Sequence, residues 1–127
     1  MIDSGAPVAF SSDVVTNYEL HRANPYFGMQ VATTRVDPEF PLDSERYPGS
    51  MRPEEDAKLD VKTPIIGYTL TGARQLRLDD IMGSLEEGKL ANMVVLDRDV
   101  MTTAPEELKD IITETVIFDG KVIRGRI

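Results

Sequence analysis

The segment VAFSSD ends in the aspartate that is best placed in this sequence to do chemistry. Asp13 follows a short and mostly apolar run, Ala6 to Ser12, and precedes a long segment with little regular pattern. Small and β-branched residues without clear alternation predict a strand covered on both faces, as in parallel sheets. At the C-terminal end of a strand in a parallel α/β barrel, a carboxylate can accept a proton from water or ligate a metal ion. The alternative is an aspartate that caps the following turn.

Two other side chains are weaker candidates for contact with a substrate. His21 is the single histidine of the chain and could act as a base or a ligand, but a lone loop histidine is more often an ordinary polar contact. Arg35 could bind an anionic group, and a solvated or salt-bridged arginine is the commoner reading. The acidic cluster Glu54 to Asp56 predicts the exposed first turn of a helix. The loop GSLEEGK lacks the spacing of a phosphate-binding loop.

Composition limits the classes of protein to which the chain can belong. Its 127 residues suffice for one ordinary domain, and a net charge of −8 argues against a nucleic-acid or anionic-membrane partner. There are no cysteines, so disulfides and thiolate metal sites are excluded, and one histidine cannot form a histidine-rich metal centre. The sequence predicts no membrane-spanning helix. The first residues lack signal-peptide features, which favours a cytoplasmic location, although Met1 need not be the natural start.

The elements that must position these residues divide the chain near Leu78. Before it, TPIIGYTLTGARQL predicts a helix with Thr63 as N-cap and Pro64 in the first turn, and YFGMQVATTR predicts a short helix. After it, glycine-marked turns separate short apolar runs, and the pair Asp119-Gly120 predicts a hairpin. NMVVL predicts a strand and TAPEELKD one helical turn. We therefore predict an α/β unit over residues 1–77 and a β unit over residues 78–127.

The order of these segments resembles the C-terminal end of the metal-dependent amidohydrolase superfamily. The resemblance extends from about Gly5 to Ile123 and is strongest to the amidohydrolase-3 or YtcJ-like branch, which is related to N-substituted formamide deformylases. The segments that carry it are VAFSSD, VATTR, YTLTGA, GSLEEGKLANMVVLD and TETVIFDGKVI. It implies the last strand and helix of a TIM-type (β/α)8 barrel, followed by the C-terminal strands of a small β-sandwich whose core Met93 to Leu96 would help to fill.

The same resemblance implies roles for individual residues. Asp13 matches the family's aspartate, which accepts a proton from the hydrolytic water and can contact the metal. Arg35 matches the arginine of the family's avtR element, whose role is either structural or close to the substrate. The family's other ligands are a His-x-His pair, a bridging lysine or carboxylate and two later histidines, and none has a match here. Asn92 replaces the family's usual aspartate. Pro64 and Gly67 lie where relatives have an uninterrupted helix, which could shorten or kink it.

The function that follows is the C-terminal portion of an enzyme that hydrolyses a non-peptide C–N bond in a small amide or cyclic amide. The resemblance implies a divalent metal, zinc in the first place, in the full-length enzyme and none in this chain alone. The isolated chain is expected to be inactive. Because a broken barrel exposes apolar faces, it is also expected to self-associate.

A different class of function stays open on the same sequence. The chain could be a stand-alone, non-catalytic interaction or scaffolding domain derived from the amidohydrolase tail. That alternative requires the proline-rich segment from Val14 to Lys62 to cover the exposed surfaces. A purely β carrier-type module would explain the glycine-marked turns but not the helix predicted after Thr63.

Overall fold

Among the described residues, short helices precede Leu78, and a three-stranded antiparallel sheet with one 3₁₀ helix follows it. A computed structural model describes residues 5–14, 17–39 and 58–126. Its elements, in chain order, are the 3₁₀ helix η1 (Asn17–Ala23), α1 (Pro25–Thr34), α2 (Lys62–Tyr68), α3 (Leu70–Gln75), β1 (Met93–Leu96), the 3₁₀ helix η2 (Pro105–Asp110), β2 (Thr113–Phe118) and β3 (Lys121–Arg124). The predicted helical turn at Glu54 to Asp56 lies outside the described residues.

The short helix predicted in YFGMQVATTR is confirmed as α1. Asn24 is its N-cap, and the Oδ1 atom of Asn24 accepts a hydrogen bond from the backbone N–H of Tyr26 at 3.0 Å. Pro25 occupies the first turn, where its missing N–H costs nothing. The helix ends at Arg35, which adopts the left-handed conformation with φ 62° and donates its N–H to the carbonyl of Val31 at 2.8 Å.

The helix predicted after Thr63 is present but broken in two, and its predicted cap is wrong. Val61 stands at the N-cap position, and the Asp60 carboxylate supplies the capping bonds, accepting the Thr63 backbone N–H at 2.7 Å and its hydroxyl at 3.0 Å. Thr69 breaks the helix with φ −113° and ψ −93°. Its hydroxyl donates back to the Ile65 carbonyl at 2.7 Å, a bond that bends helices.

The strand predicted for Ala6 to Ser12 is not formed. This segment is extended without strand pairing, and its one main-chain hydrogen bond among the described residues runs from the Phe10 N–H to the Gly67 carbonyl at 3.3 Å. A strand forms by pairing with another strand. This segment lies against a helix instead, and the described residues contain no parallel sheet that the predicted barrel strand could join.

The predicted hairpin and strands after Leu78 are confirmed as a three-stranded antiparallel sheet in the order β1-β2-β3. Met93 pairs with Ile117, and Ile117 pairs with Val122. Asp119 and Gly120 have φ values of 49° and 72°, the two positive values that a type I′ turn requires. The predicted helical turn in TAPEELKD is confirmed as η2.

Asn92, the residue that departs from the family pattern, holds the hairpin turn against the start of β1. Its Oδ1 atom accepts the backbone N–H of Asp119 at 2.8 Å, and the Gly120 N–H donates to the Ala91 carbonyl at 3.1 Å. The Nδ2 atom of Asn92 is buried and has no hydrogen-bond partner among the described residues. An aspartate could make the same bond to Asp119 without this unsatisfied donor.

The core lies between α1, η2 and the sheet. Its buried members are Tyr26, Met29, Leu108 and Ile111, and Leu108 is fully buried. Two hydrogen bonds join α1 to the second half of the chain. The Tyr26 and Thr113 hydroxyls lie 2.9 Å apart, and Gln30 Oε1 accepts the Lys109 N–H at 3.0 Å. Residues from both sides of Leu78 thus share one core. The division of the chain into two domains, residues 1–77 and 78–127, stays a prediction.

The residues of β1, which were predicted to help fill a sandwich core, are partly or largely exposed in the described structure. Val94 and Val95 are 52% and 45% exposed, while Met93 and Leu96 are only partly buried. The described residues contain one sheet, so no second sheet covers these valines. Within the described ranges, no helix has the length and apolar character needed to cross a membrane.

Candidate functional site

Asp13 lies in an exposed loop with its backbone in the left-handed region, at φ 51°. Aspartate tolerates this conformation better than most residues. Its backbone N–H reaches the Ser11 hydroxyl at 3.4 Å, and its carboxylate has no hydrogen bond or ion pair within the described part of the chain. The carboxylate is therefore accessible for proton transfer, and Phe10, three residues earlier, is the nearest residue that ties the loop to a helix.

His21 belongs to a charged cluster that the sequence did not reveal. Its Nε2 atom lies 2.7 Å from Oε1 of Glu39, and its ring meets the Phe27 ring edge-on at 6.4 Å between centroids. Arg22 binds the other Glu39 oxygen at 2.7 Å and also pairs with Asp37. The hydrogen bonds that Arg22 donates to Asp37, and then to Glu39, raise the pKa of its guanidinium above the ordinary value.

An open cavity of 320 Å³ adjoins this cluster, between η1 and η2. His21, Phe27 and Glu39 line one side, and Lys109 lies on the other. The Arg22 guanidinium stacks 4.8 Å from the Phe27 ring centroid, so Phe27 contacts two basic side chains. The ion pairs in this cluster connect residues more than a dozen positions apart. No sequence spacing could have identified them.

Arg35 has a structural role at the end of α1. It is the left-handed residue that ends the helix, and its side chain is exposed. In the described residues its guanidinium makes no hydrogen bond or ion pair. A structural role and a role in binding a ligand are therefore both compatible with the geometry of Arg35. Its backbone ends the helix, and its side chain is available to a ligand.

The three predicted site residues are not brought together by direct contacts. No hydrogen bond or ion pair among the described residues joins Asp13, His21 and Arg35. The same part of the chain contains no group of three or more histidine, aspartate or glutamate side chains able to hold a metal ion. Metal sites of hydrolases use at least three protein ligands, so the residues present do not fit a complete metal centre.

Comparison with known proteins identifies the class of protein. The family model described as "Amidohydrolase family" matches residues 1–124, almost the whole chain. The chain therefore belongs to the amidohydrolase family, as the motif order predicted. No solved structure gives a significant match.

Three characterised relatives are similar to nearly all of this chain. The chain is 32% identical over 126 residues to an imidazolonepropionase of Thermoplasma volcanium, which covers 98% of the chain and 25% of the relative. An imidazolonepropionase of Kosmotoga olearia is 28% identical, covering 97% of the chain and 25% of the relative. An N-substituted formamide deformylase of Arthrobacter pascens is also 28% identical, covering 94% and 20%. The chain thus spans about a quarter or less of the length of these relatives.

Proposed function

We propose that this chain is the C-terminal portion of an enzyme that hydrolyses a non-peptide C–N bond in a small amide or cyclic amide. The observation that carries the proposal is the family match over residues 1–124. The relatives add support, because two are named for a cyclic amide substrate class and one for removal of a formyl group from nitrogen. In the longer protein, residues 1–77 would complete a (β/α)8 barrel and residues 78–127 would complete a β-sandwich.

Asp13 is the residue to which we assign proton transfer. Its carboxylate would take a proton from the attacking water and return it to the nitrogen that leaves when the C–N bond breaks. The free and exposed carboxylate supports this role, because no ion pair in the described residues would have to be broken first. The same oxygens could ligate a metal ion if ligands from elsewhere in the longer protein completed the site.

A divalent metal, zinc in the first place, belongs to the proposed full-length enzyme through its family. When bound, it would supply an activated water at neutral pH. The resemblance assigns one possible ligand to this chain, Asp13, so we expect the remaining ligands to come from other residues of the longer protein. We therefore expect the isolated chain to bind no catalytic metal and to show no hydrolase activity with or without added zinc.

His21 and Arg35 are proposed as residues near the substrate, with unequal support. His21 already binds Glu39, so a contact with substrate would compete with that pair. The exposed guanidinium of Arg35 is available to an anionic group of a substrate. We rank Arg35 ahead of His21 for this reason.

The test of the proposal begins with the DNA upstream of the Met1 codon. An open reading frame of several hundred codons with a His-x-His pair, whose full-length product hydrolyses amide or cyclic amide substrates, is the expected result. A stop codon directly upstream, together with a separate ribosome-binding site, would overturn the proposal. The purified chain serves as the matched control, because we expect it to be inactive.

Exposed apolar side chains support the proposal that the isolated chain self-associates. The sheet exposes Val94, Phe118 and Ile123 at 52%, 56% and 65%. In the proposed full-length enzyme, the rest of the sandwich would cover this surface. Without it, burial against a second copy would remove the same apolar area from water.

One observation favours the second candidate, a non-catalytic interaction or scaffolding domain. That function requires the segment from Val14 to Lys62 to cover the exposed surfaces. In support, α1 within that segment packs Tyr26 and Met29 against Leu108 and Ile111. Slow hydrogen exchange at Val8 to Phe10 and Val94 to Leu96 in a monomeric chain would favour this candidate over the hydrolase.

A further inference from the structure

We propose that Phe10, Gly67 and Tyr68 form an anchor that positions the Asp13 loop on α2, and that these three act as positioning residues for the reaction. The proposal rests on the proposed function, because it assumes that Asp13 transfers the proton. None of these three residues would touch the substrate. Their role would be to hold the loop in the position from which Asp13 reacts.

The main-chain attachment of the loop supports this inference. The Phe10 N–H donates to the Gly67 carbonyl at 3.3 Å. Among the described residues, this is the one hydrogen bond between the main chain of residues 5–14 and another main-chain group. Asp13 follows three residues later, and three residues of extended chain span at most about 10 Å. A displacement of Phe10 is therefore transmitted to Asp13 through very few rotatable bonds.

The Phe10 side chain reinforces the same attachment. Its ring covers the Cα of Gly67 so closely that a Cβ at position 67 would lie 2.1 Å from Cδ2 and 2.7 Å from Cε2. Real Cβ atoms do not approach carbon so closely, so any other residue at position 67 would push the ring away. Glycine is otherwise a poor choice inside a helix, where it costs about 1 kcal/mol relative to alanine. The close approach of Phe10 explains its presence.

Tyr68 connects this contact to α1. Its ring packs against Phe10 with 5.6 Å between centroids and a tilt of 39°. Its hydroxyl sits over Gly28, where a Cβ would lie 2.1 Å from the phenolic oxygen. Burial raises the pKa of the Tyr68 hydroxyl above its ordinary value, in keeping with its packed position. The contacts of Phe10 with Gly67 and of Tyr68 with Gly28 therefore hold the two aromatic rings against α2 and α1.

The chain provides a matched control for substitutions at Gly67. Gly72 lies in α3, and a Cβ there would meet only the Gly67 carbonyl oxygen at an ordinary 3.5 Å. Gly67→Ala and Gly72→Ala gain the same helix propensity. Any loss that occurs only in Gly67→Ala therefore comes from displacement of Phe10.

The first arm of the experiment measures the anchor in the 127-residue chain by amide hydrogen exchange and nitrogen–proton correlation spectra. Gly67→Ala should speed exchange of the Phe10 amide by about tenfold or more and shift the Asp13 amide resonance. Gly72→Ala should change neither. Unchanged Phe10 exchange in a folded Gly67→Ala chain would overturn the anchor.

The second arm measures steady-state kinetics and metal content in the full-length protein. Gly67→Ala should lower kcat by about 10- to 100-fold at unchanged metal content, with KM within about twofold. Adding Phe10→Leu, which removes the ring atoms in the way, should restore part of kcat. Phe10→Leu alone does not change α2, and it should lower kcat as well. If Gly67→Ala fails to fold, Phe10→Leu is used as the test variant in its place.

Asp13→Asn separates failure of this proposal from failure of the proposed function. Loss of activity in Asp13→Asn with full kcat in Gly67→Ala and Phe10→Leu would overturn the positioning role alone. Full activity in Asp13→Asn would overturn both proposals, because there would be no proton-transferring aspartate to position.

Discussion

Two of the three residues singled out from the sequence, Asp13 and Arg35, have positive φ values of 51° and 62°. Only a few per cent of non-glycine residues in proteins have a positive φ. For Arg35 the reason is local, because the end of α1 requires a left-handed residue, a position usually occupied by glycine. At such a position glycine would serve the backbone alone, so Arg35 can have two roles, as the left-handed end of the helix and as a side chain available for binding.

Arg35→Gly separates these two roles, and Arg77→Gly is its matched control. Arg77 also has a positive φ, 59°, but follows α3 and has no proposed substrate contact. Substitution by glycine relieves about 1 kcal/mol or more of left-handed strain in the folded state. Part of this gain is offset, because glycine makes the unfolded chain more flexible and so raises its entropy. We expect both variants to raise the free energy of unfolding by about 0.5 kcal/mol, measured by urea denaturation.

Only Arg35→Gly should raise KM in the full-length enzyme. An equal effect of the two variants on KM, or no effect of either, would show that Arg35 has no part in substrate binding.

Asp97 gives the chain a predictable dependence on pH. Its carboxylate accepts hydrogen bonds from Arg98 at 2.7 Å and from the Ile112 N–H at 2.8 Å, and these bonds, Arg98 first, lower its pKa. A carboxyl group with a lower pKa in the folded state stabilises the fold fully above its unfolded pKa of about 3.9. That stabilisation is lost as pH falls through the folded pKa.

We therefore expect the free energy of unfolding to fall more steeply between about pH 5 and pH 2 in the wild type than in Asp97→Asn. Arg98→Gln should give an intermediate slope, because the bond from Ile112 remains. Urea denaturation at several pH values measures all three. Parallel curves for wild type and Asp97→Asn would contradict the assignment.

At the scale of elements, local chemistry explains which predictions succeeded. The Asp119-Gly120 turn, the Asn24-Pro25 start of α1 and the proline that begins η2 are each specified by a few adjacent residues. The strand at Ala6 to Ser12 was predicted wrongly, because a strand depends on a distant partner that no local pattern reveals. The cap at Thr63 was misplaced because Asp60 offers a better acceptor three residues earlier.

The two glycines that flank β3 allow a test of turn strain against close packing. Gly120 and Gly125 both have positive φ, 72° and 83°. A Cβ at Gly120 would meet open space, whereas one at Gly125 would lie 2.0 Å from the backbone oxygen of Glu114. We expect Gly120→Ala to destabilise by about 1 kcal/mol and Gly125→Ala by at least about 2 kcal/mol more, in thermal or urea denaturation. Equal losses would mean that β3 does not pack on β2 at this point.

At the scale of the whole molecule, the family, but not the arrangement of the site, could be predicted from the sequence. The ordered motifs identified the amidohydrolase family, which the match over residues 1–124 confirms. The cluster of His21, Arg22 and Glu39 could not be predicted, because its ion pairs join residues far apart in sequence. The role of Asp13 stays a prediction, since the groups that would surround it are expected outside this chain.

Self-association is the prediction that belongs to this scale. The exposed apolar side chains of the sheet, with Val94 and Phe118 among them, should drive the isolated chain to dimers or larger assemblies as its concentration rises. Light scattering coupled to size exclusion measures the mass. Phe118→Asp is expected to shift the chain toward monomer, because it places a charge in the proposed contact. A monodisperse monomer for the wild type at high concentration would contradict the prediction.

The most direct test of the proposed function compares Asp13→Asn with wild type in the full-length protein. Asparagine preserves the size of the side chain but cannot accept the proton. We expect hydrolysis of an amide or cyclic amide substrate to fall by about 100-fold or more, with metal content and thermal stability retained. Asp99→Asn, at another exposed turn aspartate, should leave the rate unchanged. A wild-type rate in Asp13→Asn would contradict the assignment of Asp13 as the proton acceptor.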